Sequence, residues 1–177
     1  EIITPGTAVE AEYLEGFKAN YLAALSISGG KVGFAYIDVT TGDFQATSWQ
    51  ASKMDDYFSK EINRASPSEL ILPLSLKKNN SIQNVLLSYP KIAVSYYPDW
   101  DFSLDFSYKK LTKQFGVNNL KAFLLDEKSS EVGPAGFLLD YLEKTTNANL
   151  LHIKSIKVYS DSDFLILDDA SRKNLEI

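Results

Sequence analysis

Val32-Gly33-Phe34-Ala35-Tyr36-Ile37-Asp38-Val39 is apolar on both sides of an extended chain. Successive side chains of a strand point to opposite faces. Val32, Phe34 and Tyr36 therefore share one face, and Ala35, Ile37 and Val39 the other, with Gly33 leaving a gap. A strand with two apolar faces is covered on both, as in an α/β sheet. Just upstream, Tyr21 to Ile27 is predicted to be a strand, ended by Ser28-Gly29-Gly30. Downstream, Thr40-Thr41-Gly42-Asp43 is a tight turn, and Phe44, Ala46 and Ser48 lead the returning strand. Three sequential antiparallel strands thus open a domain.

The rhythm then changes. Met54 to Ile62 is predicted to be a helix, with Met54, Tyr57, Phe58, Glu61 and Ile62 on a mostly apolar face, and Ser66-Pro67-Ser68 ends it. Glu69 to Pro73 reads as a short buried strand, Asn79 to Leu87 as a helix, and Ile92 to Tyr96 as a strand. Strand-helix-strand alternation implies crossovers and a parallel portion of sheet. The expected architecture is α/β, a mixed five-stranded sheet with helices on both faces, burying Phe34, Tyr36, Ile37, Ile71 and Val94.

Two more helices follow. The first runs from Ser103 to Phe115, with Leu104, Tyr108, Leu111 and Phe115 on one side, Asp101 or Ser103 as N-cap and Gly116 at the C-cap. The second runs from Pro134 to Lys144, turning Leu138, Tyr141 and Leu142 inward, with Ala135 and Gly136 permitting close packing. Ile156 to Tyr159 and Phe164 to Leu167 read as two short strands of an extension. The ends read as pieces of other structures: a turn at Thr4-Pro5-Gly6-Thr7 before helical leanings from Ala8 to Phe17, and a helix opened at Asp168 that stops after two turns.

Composition narrows the function classes. With 177 residues, 45% of them apolar, the chain can bury a real core. A formal charge of -5 argues against a broad nucleic-acid-binding surface. There is no cysteine and a single histidine, so thiol chemistry, thiolate metal sites and a structural zinc site are not expected. No apolar run reaches the roughly 18 residues that span a bilayer, and a cytoplasmic location is the default expectation.

Motifs for chemistry are sparse. Ribonuclease-H-like nucleases need several carboxylates converging on metal ions, one of them from the first strand. Tyr21 to Ile27 has none. Asp38 and Asp43 flank a turn, where local backbone hydrogen bonds are their expected role. No G-x-x-x-x-G-K-[ST] phosphate loop exists, and Gly29-Gly30-Lys31 precedes a strand, not a helix. Asp99, Asp101 and Asp105 lack the glycine and terminal glutamate of a calcium loop. His152 sits among apolar residues and reads as structural. Lys77-Lys78 and Lys109-Lys110 with Lys113 read as solvated basic clusters, the second on an ordered helix. Trp49 and Trp100 stand at element boundaries, where an indole plugs a core's edge.

An ordered set of longer stretches is more specific. It comprises Ile3-Thr4-Pro5-Gly6-Thr7, Asn20-Tyr21-Leu22-Ala23-Ala24, Gly33 to Phe44, Pro67-Ser68-Glu69-Leu70-Ile71, Gln114-Phe115-Gly116, Ala135 to Leu142, Leu151-His152-Ile153 and Leu167 to Glu176. In this order and spacing they resemble the bacterial MutS family of DNA mismatch repair proteins across nearly the whole chain. The resemblance implies a ribonuclease-H-like connector domain at 11–130, preceded at 1–10 by the end of the mismatch-recognition domain and followed at 131–177 by the start of the core or lever domain. It implies a non-catalytic segment that passes conformational state between mismatch-binding and ATPase regions and offers a docking surface for MutL. No cofactor or metal is expected here, since ATP and magnesium belong elsewhere in a homodimeric parent. Mismatched DNA would be met through the full-length protein, with weak or no binding by this segment.

The resemblance also places the MutL contact on the helix from Asp105 to Phe115, at positions occupied by Lys110 and Gln114. Four residues apart, these share a helix face, expected to project away from Leu104, Leu111 and Phe115. Gln114 keeps the amide found in the family, whereas Lys110 departs from it and suits an acidic partner. Two readings of other classes stand beside this one. A metal-dependent nucleic-acid hydrolase would need converging carboxylates, and a small-ligand regulatory domain would need a formed pocket.

Overall fold

A computed structural model describes residues 19–147 and 149–160. The turn at Thr4 to Thr7, the helix from Ala8 to Phe17, the strand from Phe164 to Leu167 and the helix opened at Asp168 lie outside the described residues.

Strands β1 (Leu22–Ser28), β2 (Lys31–Asp38) and β3 (Asp43–Gln50) form the antiparallel opening. Helix α1 (Met54–Ala65) leads to β4 (Glu69–Pro73), and α2 (Asn80–Leu87) to β5 (Ala93–Tyr97). β4 lies parallel to β1, and β5 parallel to β4. Helices α3 (Leu104–Phe115) and α4 (Val132–Thr145) follow, and a two-residue strand β6 (Lys157–Val158) closes the described chain. The sheet order is β5-β4-β1-β2-β3-β6. The sheet therefore has six strands, not five. The segment expected to start a separate extension pairs parallel with the free edge of β3, Gln45 opposite Lys157 and Ala46 opposite Val158.

The two faces of β2 each seed a core. Val32, Phe34 and Tyr36 pack with Phe58 and Ile62 of α1 and with Ile82 of α2. Ala35, Ile37 and Val39 pack with Leu111 of α3 and with Leu138 and Leu142 of α4. Phe34, Tyr36, Ile37 and Ile71 are buried as expected. Val94 is only half-buried, because β5 is an edge strand. Gly33 marks where a loop crosses the strand. A Cβ there would lie 1.9 Å from the carbonyl oxygen of Ser130, so only glycine fits.

Local signals set the helix ends. Ser103 caps α3, its side chain accepting from the Phe106 amide, and Gly116 closes it in the left-handed region at φ 66°. Asn79 caps α2 in the same way through the Ile82 amide. Helix α4 is buried along nearly all of its length, including Leu138, Tyr141 and Leu142. It packs against β1, β2 and α3 in one body with the sheet. The resemblance places it at the start of the following domain.

Candidate partner-docking site

Helix α3 carries the residues flagged for docking, and two of its faces are occupied. Leu111 is buried, and Leu104, Tyr108 and Phe115 are partly buried against the core under the sheet. Ser107 is also fully buried, and its hydroxyl donates to the Gly133 carbonyl at 3.2 Å. A Cβ on Gly136 would lie 2.3 Å from Ser107 Cβ, so α3 and α4 approach at backbone distance along small residues.

That approach overturns the expected orientation of Lys110 and Gln114. Both lie on the same stripe as Ser107, three and seven residues on, and that stripe turns toward α4 and the turn beyond it. Lys110 Nζ pairs with Glu143 and lies 3.7 Å from Asp140, while Asp140 also takes Lys144 at 2.8 Å. Gln114 donates its amide nitrogen to the Leu150 carbonyl at 2.8 Å and the Ile153 carbonyl at 3.0 Å. Neither side chain projects freely into solvent. The predicted pair is brought together, but facing inward, because small residues draw α4 onto that stripe.

The open face of α3 holds Asp105, Phe106, Lys109 and Lys113. Phe106, Lys109 and Lys113 follow the i, i+3, i+7 spacing of one stripe. Phe106 is 46% exposed, and Trp100, in the 3-10 turn Asp99–Phe102 just before α3, is 76% exposed. Trp100 thus does not plug the core. Trp49 does, buried beside Phe34 with its ring stacked on Tyr57. Phe106 thus shares its stripe with two lysines, and Trp100 stands exposed in the turn before it.

Behind this face, the segment after α4 is strapped down. His152 sets its ring against the Val39 carbonyl and beside Gly42 of the β2–β3 turn, which fits the structural role expected of it. At the far end Tyr159 is buried. Its hydroxyl donates to Glu61 at 2.6 Å and lies 3.0 Å from that of Tyr36, while Arg64 reaches the second Glu61 oxygen at 2.7 Å and stacks over the Tyr159 ring. Burial raises the Glu61 carboxyl above the ordinary glutamate range and the Tyr159 hydroxyl well above that of tyrosine, and it pushes Tyr36 up to about 12. No sequence motif announces this network, since Glu61 and Tyr159 are 98 positions apart.

Other candidate sites are quiet. Asp38 accepts from the Thr40 amide, as expected, whereas Asp43 is engaged by the side chains of Tyr21 and Gln45. Lys77 sits over the Tyr96 ring. Among the described residues no cluster of three or more His, Cys, Asp or Glu could hold a metal ion, and no helix is long and apolar enough to cross a membrane. A cleft of about 260 Å³ opens where β1 and β4 end, with Ser26, Ser75 and Ser103 in its wall. Asp99 is its one carboxylate, and it already accepts the Ser75 amide.

Residues 20–154 match the family model described as MutS domain II. Among curated proteins, the chain is 44% identical over its full length to the DNA mismatch repair protein MutS of Treponema denticola, covering 21% of that protein. It is 38% identical to the MutS of Treponema pallidum, again over its full length and 20% of the relative. It is 35% identical to that of Symbiobacterium thermophilum over 99% of the chain and 20% of the relative. The chain thus spans about a fifth of the length of the relatives it matches.

Proposed function

The chain belongs to the MutS family, and from that premise we propose that it is a non-catalytic connector, passing conformational state between a mismatch-binding region and an ATPase region and docking MutL on α3. The observation that carries the docking assignment is the exposed Phe106–Lys109–Lys113 stripe, with Trp100 in the turn before it. An exposed ring on a stripe with two lysines suits a partner surface that is apolar at its centre and acidic at its rim. Lys110 and Gln114 contribute to docking by setting the pose of α3 on α4, which fits their inward hydrogen bonds and ion pairs.

Sheet order and strand directions support a ribonuclease-H-like fold, used without its chemistry. The absence of an acidic residue from β1 speaks against a hydrolase reading. The connector is best drawn through the whole packed unit 19–160, since α4 and β6 are built onto the same sheet. This reading moves α4 and β6, which the resemblance placed at 131–177, into the connector. ATP and magnesium would be held elsewhere in a homodimeric parent, because no phosphate loop exists in this chain. Mismatched DNA would likewise be read elsewhere.

The test is the affinity of MutL for the full-length, DNA- and ATP-loaded parent carrying Phe106→Ala or Lys109→Glu. An anchor truncated in this way costs about 1–2 kcal/mol, whereas a rim residue costs far less. Unchanged affinity for both variants refutes the docking assignment.

A further inference from the structure

The segment 149–160 crosses from one face of the sheet to the other around the edge of β3. Ile153 and Ile156 are buried in the core under α3 and α4, and Tyr159 is buried in the core under α1 and α2. Between them only two residues pair with β3, and the Tyr159 amide then donates to the Ala46 carbonyl at 3.0 Å. So short a ladder gives little register or stability of its own. Besides the buried Ile153 and Ile156, the His152 ring on the Val39 carbonyl and the Tyr36 hydroxyl beside that of Tyr159, each end is held by a side chain from a helix on one face of the sheet.

The near end is the Leu150–Ile153 turn, closed by the Ile153 amide donating to the Leu150 carbonyl at 3.0 Å. Gln114 of α3 donates to both of those carbonyls from one nitrogen, so its amide grips the turn as a unit. The far end is Tyr159, whose hydroxyl reaches Glu61 of α1. Its carbonyl accepts from the Thr47 hydroxyl at 2.8 Å. Both anchors are directional polar contacts in a part-buried or buried setting, where leaving a donor or acceptor unmatched is costly.

We propose that segment 149–160 is a coupling strap whose two anchors, Gln114 of α3 on the Leu150–Ile153 turn and Glu61 of α1 on Tyr159, engage and release together. Gln114 is then a positioning residue that links the pose of α3 to the placement of the segment as far as Ser160. Only the meaning of that link for MutL rests on the docking reading above. The strap itself rests on its own contacts.

The test is hydrogen–deuterium exchange of the 177-residue chain, without any partner, for the wild type, Gln114→Leu and Tyr159→Phe. In either variant the amides of Ile153 and Tyr159 should both exchange faster by about tenfold. Amides of β1, β2 and α4 should keep their protection. If Gln114→Leu loosens Ile153 but leaves Tyr159 protected, the anchors are independent and the proposal is overturned. A uniform rise through β1, β2 and α4 also overturns it, by showing Gln114 to be a general stability residue. Should the leucine variant fail to fold, Gln114→Glu serves instead, because it keeps the shape while placing acceptors against the two carbonyls. Loss of MutL binding by the Phe106 and Lys109 variants has no bearing on this readout, so the two readings fail separately.

Discussion

Replacing Gly136 by alanine should destabilise the fold by wedging α3 from α4, the seat of the proposed docking face. In an unencumbered helix interior this change is favourable by about 0.8–1 kcal/mol, since alanine loses less backbone freedom than glycine. Here the new Cβ would stand 2.3 Å from Ser107 Cβ, 2.4 Å from Ser107 Cα and 2.7 Å from its hydroxyl oxygen. Carbon atoms rest at about 3.5–4.0 Å, so the gap must open by more than about 1 Å. Two of those obstacles are a backbone carbon and the Cβ fixed to it, on a residue with no exposed surface, and neither can swing aside. Overpacking of this kind costs about 1–3 kcal/mol. Separating the helices also lengthens the Ser107–Gly133 hydrogen bond, worth about 1 kcal/mol. The propensity gain offsets part of this, leaving a net loss of roughly 1–3 kcal/mol. Urea titration followed by circular dichroism measures it directly, and a chain of this size should melt roughly 3–10 °C lower. Unchanged or raised stability would refute the backbone-distance contact between α3 and α4.

Two further predictions concern pH. Burial holds Tyr36 at about 12 and raises Tyr159 above the ordinary tyrosine range. Each contributes stability that is complete below the unfolded value of about 10 and is lost as pH rises through the folded one. The unfolding free energy should therefore fall above pH 10 by up to about 1.4 kcal/mol per pH unit per tyrosine. Urea titrations across that range check the slope, Tyr159→Phe should remove its share, and a flat profile would contradict the buried setting. Glu61, also raised by burial, gives stability that is complete below about pH 4 and declines as pH rises toward its folded value. Measured against pH, the stability difference should move in favour of Glu61→Gln over the wild type upward from there, and movement the other way would show the carboxylate to be the better-held form.

The central hairpin was legible because β2 is apolar on both faces, and only a strand between two helical layers needs that. Ser103, Gly116 and Asn79 announced their helix ends through chemistry confined to a few neighbouring residues. The contacts that sequence could not reveal are those made across large separations or by small residues. Strand β6 is two residues long and finds β3 more than a hundred positions away, so it reads as a separate extension. The expectation that Lys110 and Gln114 project away from Leu104, Leu111 and Phe115 assumes that α3 buries a single face. It buries two, and the second is marked only by Ser107 facing Gly133 and Gly136, a pattern without hydrophobic signal. Trp100 departs from expectation for the converse reason, since an indole at an element boundary can turn outward as readily as inward.

The most direct measurement of the connector account is a hydrogen-exchange footprint of MutL on the full-length, DNA- and ATP-loaded parent. The account predicts new protection at the exposed start of α3 and the Trp100 turn, together with altered exchange in segment 149–160 behind it. Protection confined to the α1–α2 face, with α3 unchanged, would contradict it.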